Sequence, residues 1–333
     1  MRMSQSLYDK LQVLEPKAEG MKPEERIKAM ERPLLSWYKE NARNLPWRDD
    51  PKPYRVWISE IMLQQTRVEA VKPYFERFMK ELPGVYELAE VSEDKLLKLW
   101  EGLGYYSRAK NLKRTAEILV REYDGFLPSS WEELKKLPGI GSYTAGAIAS
   151  IAFGIPVPAA DGNVLRVISR VTGSREDILK QSVKKQVEAL LMKTMPKDKA
   201  GSYNQGLIEI GALICVPNGT PLCGQCPLAS VCAAGLKGLT DEIPVRTPKK
   251  ARKVENKTIL ILWKKGRVAI RKREDKGLLA SLYELPNLEG CLNSEAVLSV
   301  MDAEKDGKDV KIKPLPASKL IFSHVEWHMT GFL

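Results

Sequence analysis

The chain has 333 residues, 44% hydrophobic and 29% charged, enough apolar side chain to bury a large core, which excludes a disordered tail. Lysine and arginine number 53 against 42 acidic residues, a net charge of +11, so the expected partner is a polyanion, nucleic acid before membrane. The charged start MRMSQSLYDKLQVLEPK lacks the apolar stretch of a secretory signal, which predicts a cytoplasmic protein, nucleoid-associated in a prokaryote, with its five cysteines reduced.

From about residue 33 to 239, apolar side chains recur three and four apart between short Gly/Pro breaks. The spacing predicts helices over 56–71, 95–100, 111–120, 131–137 and 203–214, with Ser130 and Glu133 as a capping box before the fourth. Residues 137–160 carry no formal charge. Pro138, Gly139, Gly141, Gly154, Pro156 and Pro158 leave too short an apolar run for the roughly 20 residues of a membrane span, so a buried helix between two turns is expected. Around Pro244, Pro248 and Lys249 to Lys253 the pattern turns basic and proline-containing, which reads as an extended linker over 243–256. Strands follow over 258–263 and 268–272, separated by a Lys-Lys-Gly turn and able to pair locally.

Cys215, Cys223, Cys226 and Cys232 form C-x7-C-x2-C-x5-C. Thiols this crowded in a reduced chain point to metal, and zinc and iron-sulfur clusters both accept four thiolates. A single C-x-x-C between uneven arms lacks the paired knuckles of zinc ribbons, which favours one [4Fe-4S] cluster. Cys291 is remote and reads as an ordinary thiol.

Leu137-Pro-Gly-Ile-Gly141 joins a short helix to an alanine-rich one. Gly139 and Gly141 allow a left-handed turn that brings backbone N–H groups to a helix N-terminus, where a phosphate oxygen is favoured. No Gly-Lys-Ser/Thr follows, so this is not a nucleotide-binding P-loop. Further on, Asp161-Gly-Asn163 precedes an amphipathic helix, a position as suited to an N-cap as to a catalyst.

The glycine hairpin, an aspartate at this distance and a downstream four-cysteine cluster together resemble the helix-hairpin-helix DNA glycosylases of the endonuclease III superfamily. Leu45-Pro-Trp-Arg48, Pro53-Tyr-Arg-Val-Trp-Ile-Ser-Glu60-Ile-Met-Leu-Gln-Gln-Thr-Arg67 and Gly102-Leu-Gly-Tyr-Tyr-Ser-Arg108 narrow the likeness to the adenine DNA glycosylase (MutY) family, over about residues 30–240 and patchily beyond.

The resemblance implies hydrolysis of the N-glycosidic bond of adenine mispaired with 8-oxoguanine, or more weakly with guanine, in double-stranded DNA. It assigns Glu60 as the acid that protonates adenine N7, and an apolar helix would raise its pKa for that task. Asp161 stabilises the oxocarbenium-like charge at C1′, and Asn163 orients it. Tyr143 stands where bifunctional relatives carry the Schiff-base lysine, which implies a monofunctional enzyme. Gln65 fills the gap in the base stack, Tyr105 wedges beside the opposing base, and Arg48, Leu63 and Gln205 line the adenine pocket. Thr66, Gly139 and Gly141 are further DNA contacts.

The last part, with Arg271-Lys-Arg-Glu-Asp-Lys-Gly-Leu-Leu-Ala-Ser-Leu-Tyr-Glu-Leu-Pro286, resembles the family's NUDIX-related domain. It lacks the Gly-x5-Glu-x7-Arg-Glu-x-x-Glu-Glu series of pyrophosphatases. Phe322, Ser323 and His324 match the loop that checks for 8-oxoguanine, and a chain stopping at Leu333 leaves that domain incomplete. A metal site at His324 and His328 is not expected. The loop between Cys215 and Cys223 holds no Lys or Arg, which weakens its expected contact with DNA.

The expected architecture is a mostly α catalytic region with a smaller, truncated α+β domain. An iron-sulfur helical module is expected over 1–46 and 169–242, a six-helix barrel with the hairpin over 47–168, and an 8-oxoguanine recognition domain over 257–333. The expected state is a monomer on DNA, with no membrane. Two other readings are an endonuclease III-like glycosylase-lyase acting on oxidised pyrimidines, which Tyr143 and the Glu60 motif disfavour, and a noncatalytic iron-sulfur DNA-binding protein, which has no need of Glu60 and Asp161.

Overall fold

A computed structural model of the chain describes residues 20–248, 251–302 and 311–333. Residues 1–19 of the expected first module, Lys249 and Lys250 of the expected linker, and 303–310 of the last domain lie outside the described residues. The chain divides into a helical unit ending at Thr247 and a smaller mixed unit beginning at Pro248. No helix among the described residues is long and apolar enough to cross a membrane.

In the helical unit, α1 (Pro23–Ala29) and α2 (Glu31–Asn41) precede α3 (Pro53–Leu63). Pro53 opens α3, where the missing N–H costs nothing, and every residue from Val56 to Met62 is buried, so α3 is a central helix. The helix expected over 56–71 is broken. The chain turns through Gln64 to Arg67, with Gln65 at φ 57, before α4 (Val68–Glu81) takes up the period. The reason is a competing donor: Arg108 Nη1 lies 2.7, 3.0 and 2.8 Å from the carbonyl oxygens of Ile61, Met62 and Gln64, which supplies partners for the carbonyls a helix end leaves open.

Helices α5 (Val85–Glu90), α6 (Glu93–Trp100) and α7 (Ser107–Glu122) follow. At α8 (Trp131–Leu134) Ser130 Oγ accepts the Glu133 N–H at 3.4 Å. Only this half of the expected capping box forms, because the Glu133 carboxylate binds Tyr123 and Lys136 instead.

The uncharged stretch contains α9 (Ser142–Phe153), a buried helix of small residues that packs on α3. Its Gly146 lies so close to the next segment that a Cβ would come within 2.0 Å of the Pro158 carbonyl oxygen. That segment cannot give way, since Asn204 accepts the Ala159 N–H at 3.1 Å and donates to the Val157 carbonyl at 2.9 Å. Gly146→Ala should therefore cost about 1–3 kcal/mol of stability by overpacking, read as a lower thermal midpoint.

Next come α10 (Gly162–Thr172), α11 (Gln181–Thr194), α12 (Ala200–Leu213) and α13 (Ala233–Leu236). One core joins α1, α2, α10 and α12 through Ile27, Leu34, Val164, Ile168, Tyr203 and Leu207. The expected linker starts later than 243. Val245 bridges to Asp177 in parallel register, and Thr247 bonds the Asp177 carboxylate, so these residues belong to the helical unit.

The second unit holds β1 (Lys253–Leu260), β2 (Trp263–Lys264), β3 (Arg267–Val268), β4 (Arg271–Lys272), β5 (Tyr283–Glu284), β6 (Asn287–Glu289), α14 (Ser294–Asp302), β7 (Pro314–Ile321) and β8 (Val325–Phe332). The main sheet runs β6-β1-β8-β7. The strand expected over 258–263 thus begins earlier and ends sooner, and it does not pair with its neighbour: β1 runs parallel to β8, with Thr258 opposite Thr330. Local pairing is limited to Trp263 with Val268 and Lys264 with Arg267 across a Lys265-Gly266 turn of positive φ. The strand expected over 268–272 splits, its second half pairing with β5. Leu260, Val297 and Phe332 form this unit's small core.

Candidate active site

Six segments of the helical unit wall a cavity of about 530 Å³. The end of α3 brings Glu60 and Leu63, the turn after it Gln65 and Thr66, α9 Tyr143, the start of α10 Asp161 and Asn163, and α12 Gln205 and Glu209, with Arg48 from the loop before α3.

Glu60 is 7% exposed. Burial pushes its pKa up to about 7. The hydrogen bond from Tyr143 and the charge of Arg48 oppose the rise, and the charge of Asp161 adds to it. Tyr143 Oη donates to Glu60 Oε2 at 2.6 Å, which leaves Oε1 as the oxygen to carry the proton. The phenol is no nucleophile here: burial and the two nearby carboxylates hold its pKa well above the ordinary value.

Asp161 is the N-cap of α10 and accepts the Val164 N–H at 2.8 Å on Oδ1 and Asn163 Nδ2 at 2.8 Å on Oδ2. Burial raises its pKa, and these bonds pull the other way. Two carboxylates sharing a cavity cannot both ionise freely. Both Asp161 oxygens accept bonds that favour the anion, at a helix N-terminus that also favours it, so the shared proton belongs on Glu60.

Asn163 Oδ1 in turn accepts Arg166 Nη2 at 2.9 Å, and Arg166 Nε donates to the Cys215 carbonyl at 2.7 Å. A chain of hydrogen bonds therefore runs from Asp161 to the cysteine segment. Gly211 permits it, since a Cβ there would come within 2.5 Å of Asn163 Cβ.

Sequence reasoning missed Glu209 and Arg43. Glu209 is 0% exposed and takes Arg43 at 2.9 and 2.7 Å and Arg48 at 2.8 Å. Burial alone would raise its pKa, but the two guanidinium groups outweigh it and the pKa is lowered. The pair holds Arg48 at the cavity wall. A lone Glu in α12 carries no motif that announces this; the only signal was a charge on an otherwise buried helical face.

Tyr105 and Gly139 line a second cavity of about 270 Å³ together with Gln65. Gly139 has φ 75, and a Cβ there would meet Asn111 Cβ at 2.8 Å. Gly141 is the N-cap of α9 and borders open space. Gln65 and Tyr105 are both left-handed, at φ 57 and 48, a conformation costing non-glycine residues about 1–2 kcal/mol each, so the surrounding structure must enforce it. Phe322, Ser323 and His324 belong to the second unit, in the turn between β7 and β8, where Phe322 packs edge-on against Trp327 at 5.0 Å. His328 pairs with Glu326 at 2.7 Å.

The four cysteines surround a separate cavity of about 210 Å³ with Arg170, Ile214 and Leu236. Arg170 Nη1 donates to Cys215 Sγ at 3.1 Å, a contact that suits a thiolate, while Cys232 Sγ accepts the Gly235 N–H and donates to the Arg170 carbonyl, both at 3.4 Å. Among the described residues no Cys, His, Asp or Glu group is gathered as one metal ion requires. Four thiols around a void fit a multi-atom cluster better than a single zinc. Cys291 is exposed in the second unit.

Residues 58–197 match the model of the HhH-GPD superfamily base excision DNA repair proteins. The chain is 35% identical over 301 residues to an adenine DNA glycosylase of Buchnera aphidicola subsp. Schizaphis graminum, covering 90% of this chain and 86% of that protein. It is 43% identical over 210 residues to the adenine DNA glycosylase of Homo sapiens, covering 60% of this chain and 38% of that one. Among solved structures, a thermostable thymine-DNA glycosylase is similar at TM-score 0.58 and 27% identity, covering 64% of this chain and 97% of that chain. A trapped endonuclease III–DNA covalent intermediate follows at TM-score 0.55 and 26% identity, covering 65% and 98%.

Proposed function

The chain belongs to the adenine DNA glycosylase family of base excision repair, and from that premise we propose that it releases adenine paired with 8-oxoguanine or guanine in duplex DNA, without cutting the strand. The observation that carries the reading is the pairing in one cavity of a buried carboxyl group of pKa about 7, Glu60, with a helix-capping carboxylate, Asp161.

The target nucleotide leaves the stack, at a cost of about a few kcal/mol that a mispaired base lowers, and Gln65 and Tyr105 occupy the duplex in its place. Glu60 passes the proton on Oε1 to adenine N7. The C1′–N9 bond then breaks, with its electron pair leaving on the base. Asp161 bears on the positive charge developing at C1′. Water adds there and gives its proton to the Glu60 carboxylate left by the first transfer, completing an abasic site and restoring the acid. Tyr143 has no amine to form a Schiff base, and its hydroxyl is committed to Glu60, so the sugar–phosphate backbone stays intact.

Duplexes carrying A·8-oxoguanine, A·G and thymine glycol, assayed with and without alkali, test this. Adenine release from the first two, with strand breaks only after alkali, is expected. Action on thymine glycol, or breaks matching base loss without alkali, would overturn it.

Cys215, Cys223, Cys226 and Cys232 would hold a [4Fe-4S] cluster, which when bound cross-links the segment after α12. Because Arg166 runs from that segment to Asn163, the cysteines also hold the Asp161 side of the cavity. Protein purified without oxygen should carry about four irons per chain with broad visible absorbance. One zinc and no iron would contradict the assignment.

A further inference from the structure

The two left-handed non-glycine residues of the helical unit that border the second cavity come from loops far apart in sequence: Gln65 from the α3–α4 turn and Tyr105 from the α6–α7 loop. One side chain spans both. Arg108, 8% exposed, places Nη1 against the carbonyls of Ile61, Met62 and Gln64. Its Nη2 faces Thr66 Oγ1 at 3.4 Å and the carbonyls of Leu103 and Gly104 at 3.0 and 3.1 Å. All six partners are neutral oxygens. The guanidinium also lies over the rings of Trp100 at 5.2 Å and Tyr105 at 5.6 Å. Trp100 Nε1 bonds the same Gly104 carbonyl at 3.0 Å, so the second loop is held from both sides.

We propose that Arg108 is a positioning residue that locks the Gln65 and Tyr105 loops into one body, so that both side chains enter the base stack together and in register with the end of α3 that carries Glu60. This deepens the reading of Gln65 and Tyr105 as duplex probes and rests on it. The guanidinium suits the task because it is a rigid planar fork with donors on two edges. Nη1 serves the first loop alone, and Nη2 joins Thr66 of that loop to Leu103 and Gly104 of the second. A lysine ammonium offers a point charge on a flexible stem and cannot span both sets of carbonyls in fixed geometry.

The test is a double-mutant cycle of Gln65→Ala and Tyr105→Ala in two backgrounds, wild type and Arg108→Lys. It is read by the fluorescence of 2-aminopurine placed at the target adenine, which rises on unstacking. If the loops act as one body, either alanine lowers the extrusion rate about tenfold and the second adds little, whereas in Arg108→Lys the two effects multiply towards about a hundredfold. A role limited to stability would lower the thermal midpoint of Arg108→Lys and leave the non-additivity in place, which contradicts the proposal. Simple multiplication of the two effects in the wild-type background also overturns it and needs no Arg108 variant to fold. If neither alanine changes extrusion, the reading of Gln65 and Tyr105 as probes fails, a result distinct from failed coupling.

Discussion

Glu60→Gln is expected to lose adenine release by about 10³-fold, the contribution of a positioned general acid, while still binding the mispaired duplex. The same substitution should stabilise the protein at alkaline pH. Burial raises the Glu60 pKa from 4.5 to about 7 in the folded chain. The stability this group contributes is therefore fully present below about pH 4.5 and is lost as pH rises through about 7. Glutamine never ionises, and its carbonyl can still accept the Tyr143 hydroxyl, so the variant escapes that loss. The gain over wild type should be near zero below about pH 4, grow through about pH 4.5 to 7 and level off at about 3 kcal/mol above about pH 7, measured as the difference in thermal midpoint across the range. An active Glu60→Gln, or a gain that does not grow with pH, would remove Glu60 from its role.

Asp161→Asn should cost about 10² to 10³-fold in the same assay, because the charge that faces C1′ is gone. Folding should be nearly unaffected. Asparagine caps a helix as well as aspartate, so the bond to the Val164 N–H survives; the Asn163 oxygen stays with Arg166, and only the bond from Asn163 Nδ2 is lost, at about 0.5 to 1.5 kcal/mol. A variant that melts close to wild type and binds abasic duplex normally, yet releases adenine slowly, matches a charge acting on the reaction rather than on the fold. Near-normal turnover would show that the cap is the residue's whole task.

Features whose chemistry depends on local spacing were legible in the sequence. The C-x7-C-x2-C-x5-C series, the two glycines before α9 and the aspartate before α10 each lie within one short segment, and the structure brings Glu60, Tyr143, Asp161 and Asn163 to one cavity. Side chains whose partners are remote in sequence could not be read this way. Arg108 serves carbonyls 44 to 47 residues upstream, Asn204 fixes residues 157–159, and Glu209 neutralises arginines more than 160 residues away. Their own neighbourhoods show only a polar residue in an amphipathic helix.

The break at Gln64 to Arg67 was hidden for the same reason. The apolar period continues across it, and neither Gly nor Pro marks the left-handed Gln65. In the second unit, adjacent strand-like runs suggested a local hairpin. The longest pairing is instead parallel, between β1 and β8 at opposite ends of the unit, and parallel pairing follows from no local signal.

A proton resident on Glu60 near neutral pH is what the account requires of this protein, and the pH dependence of single-turnover adenine release from an A·8-oxoguanine duplex tests it most directly. The rate should hold up to about pH 7 and then fall by about tenfold per pH unit, as the acid form of a group of that pKa is depleted. A rate that is flat or rising from about pH 6 to 9 would contradict an acid of that pKa.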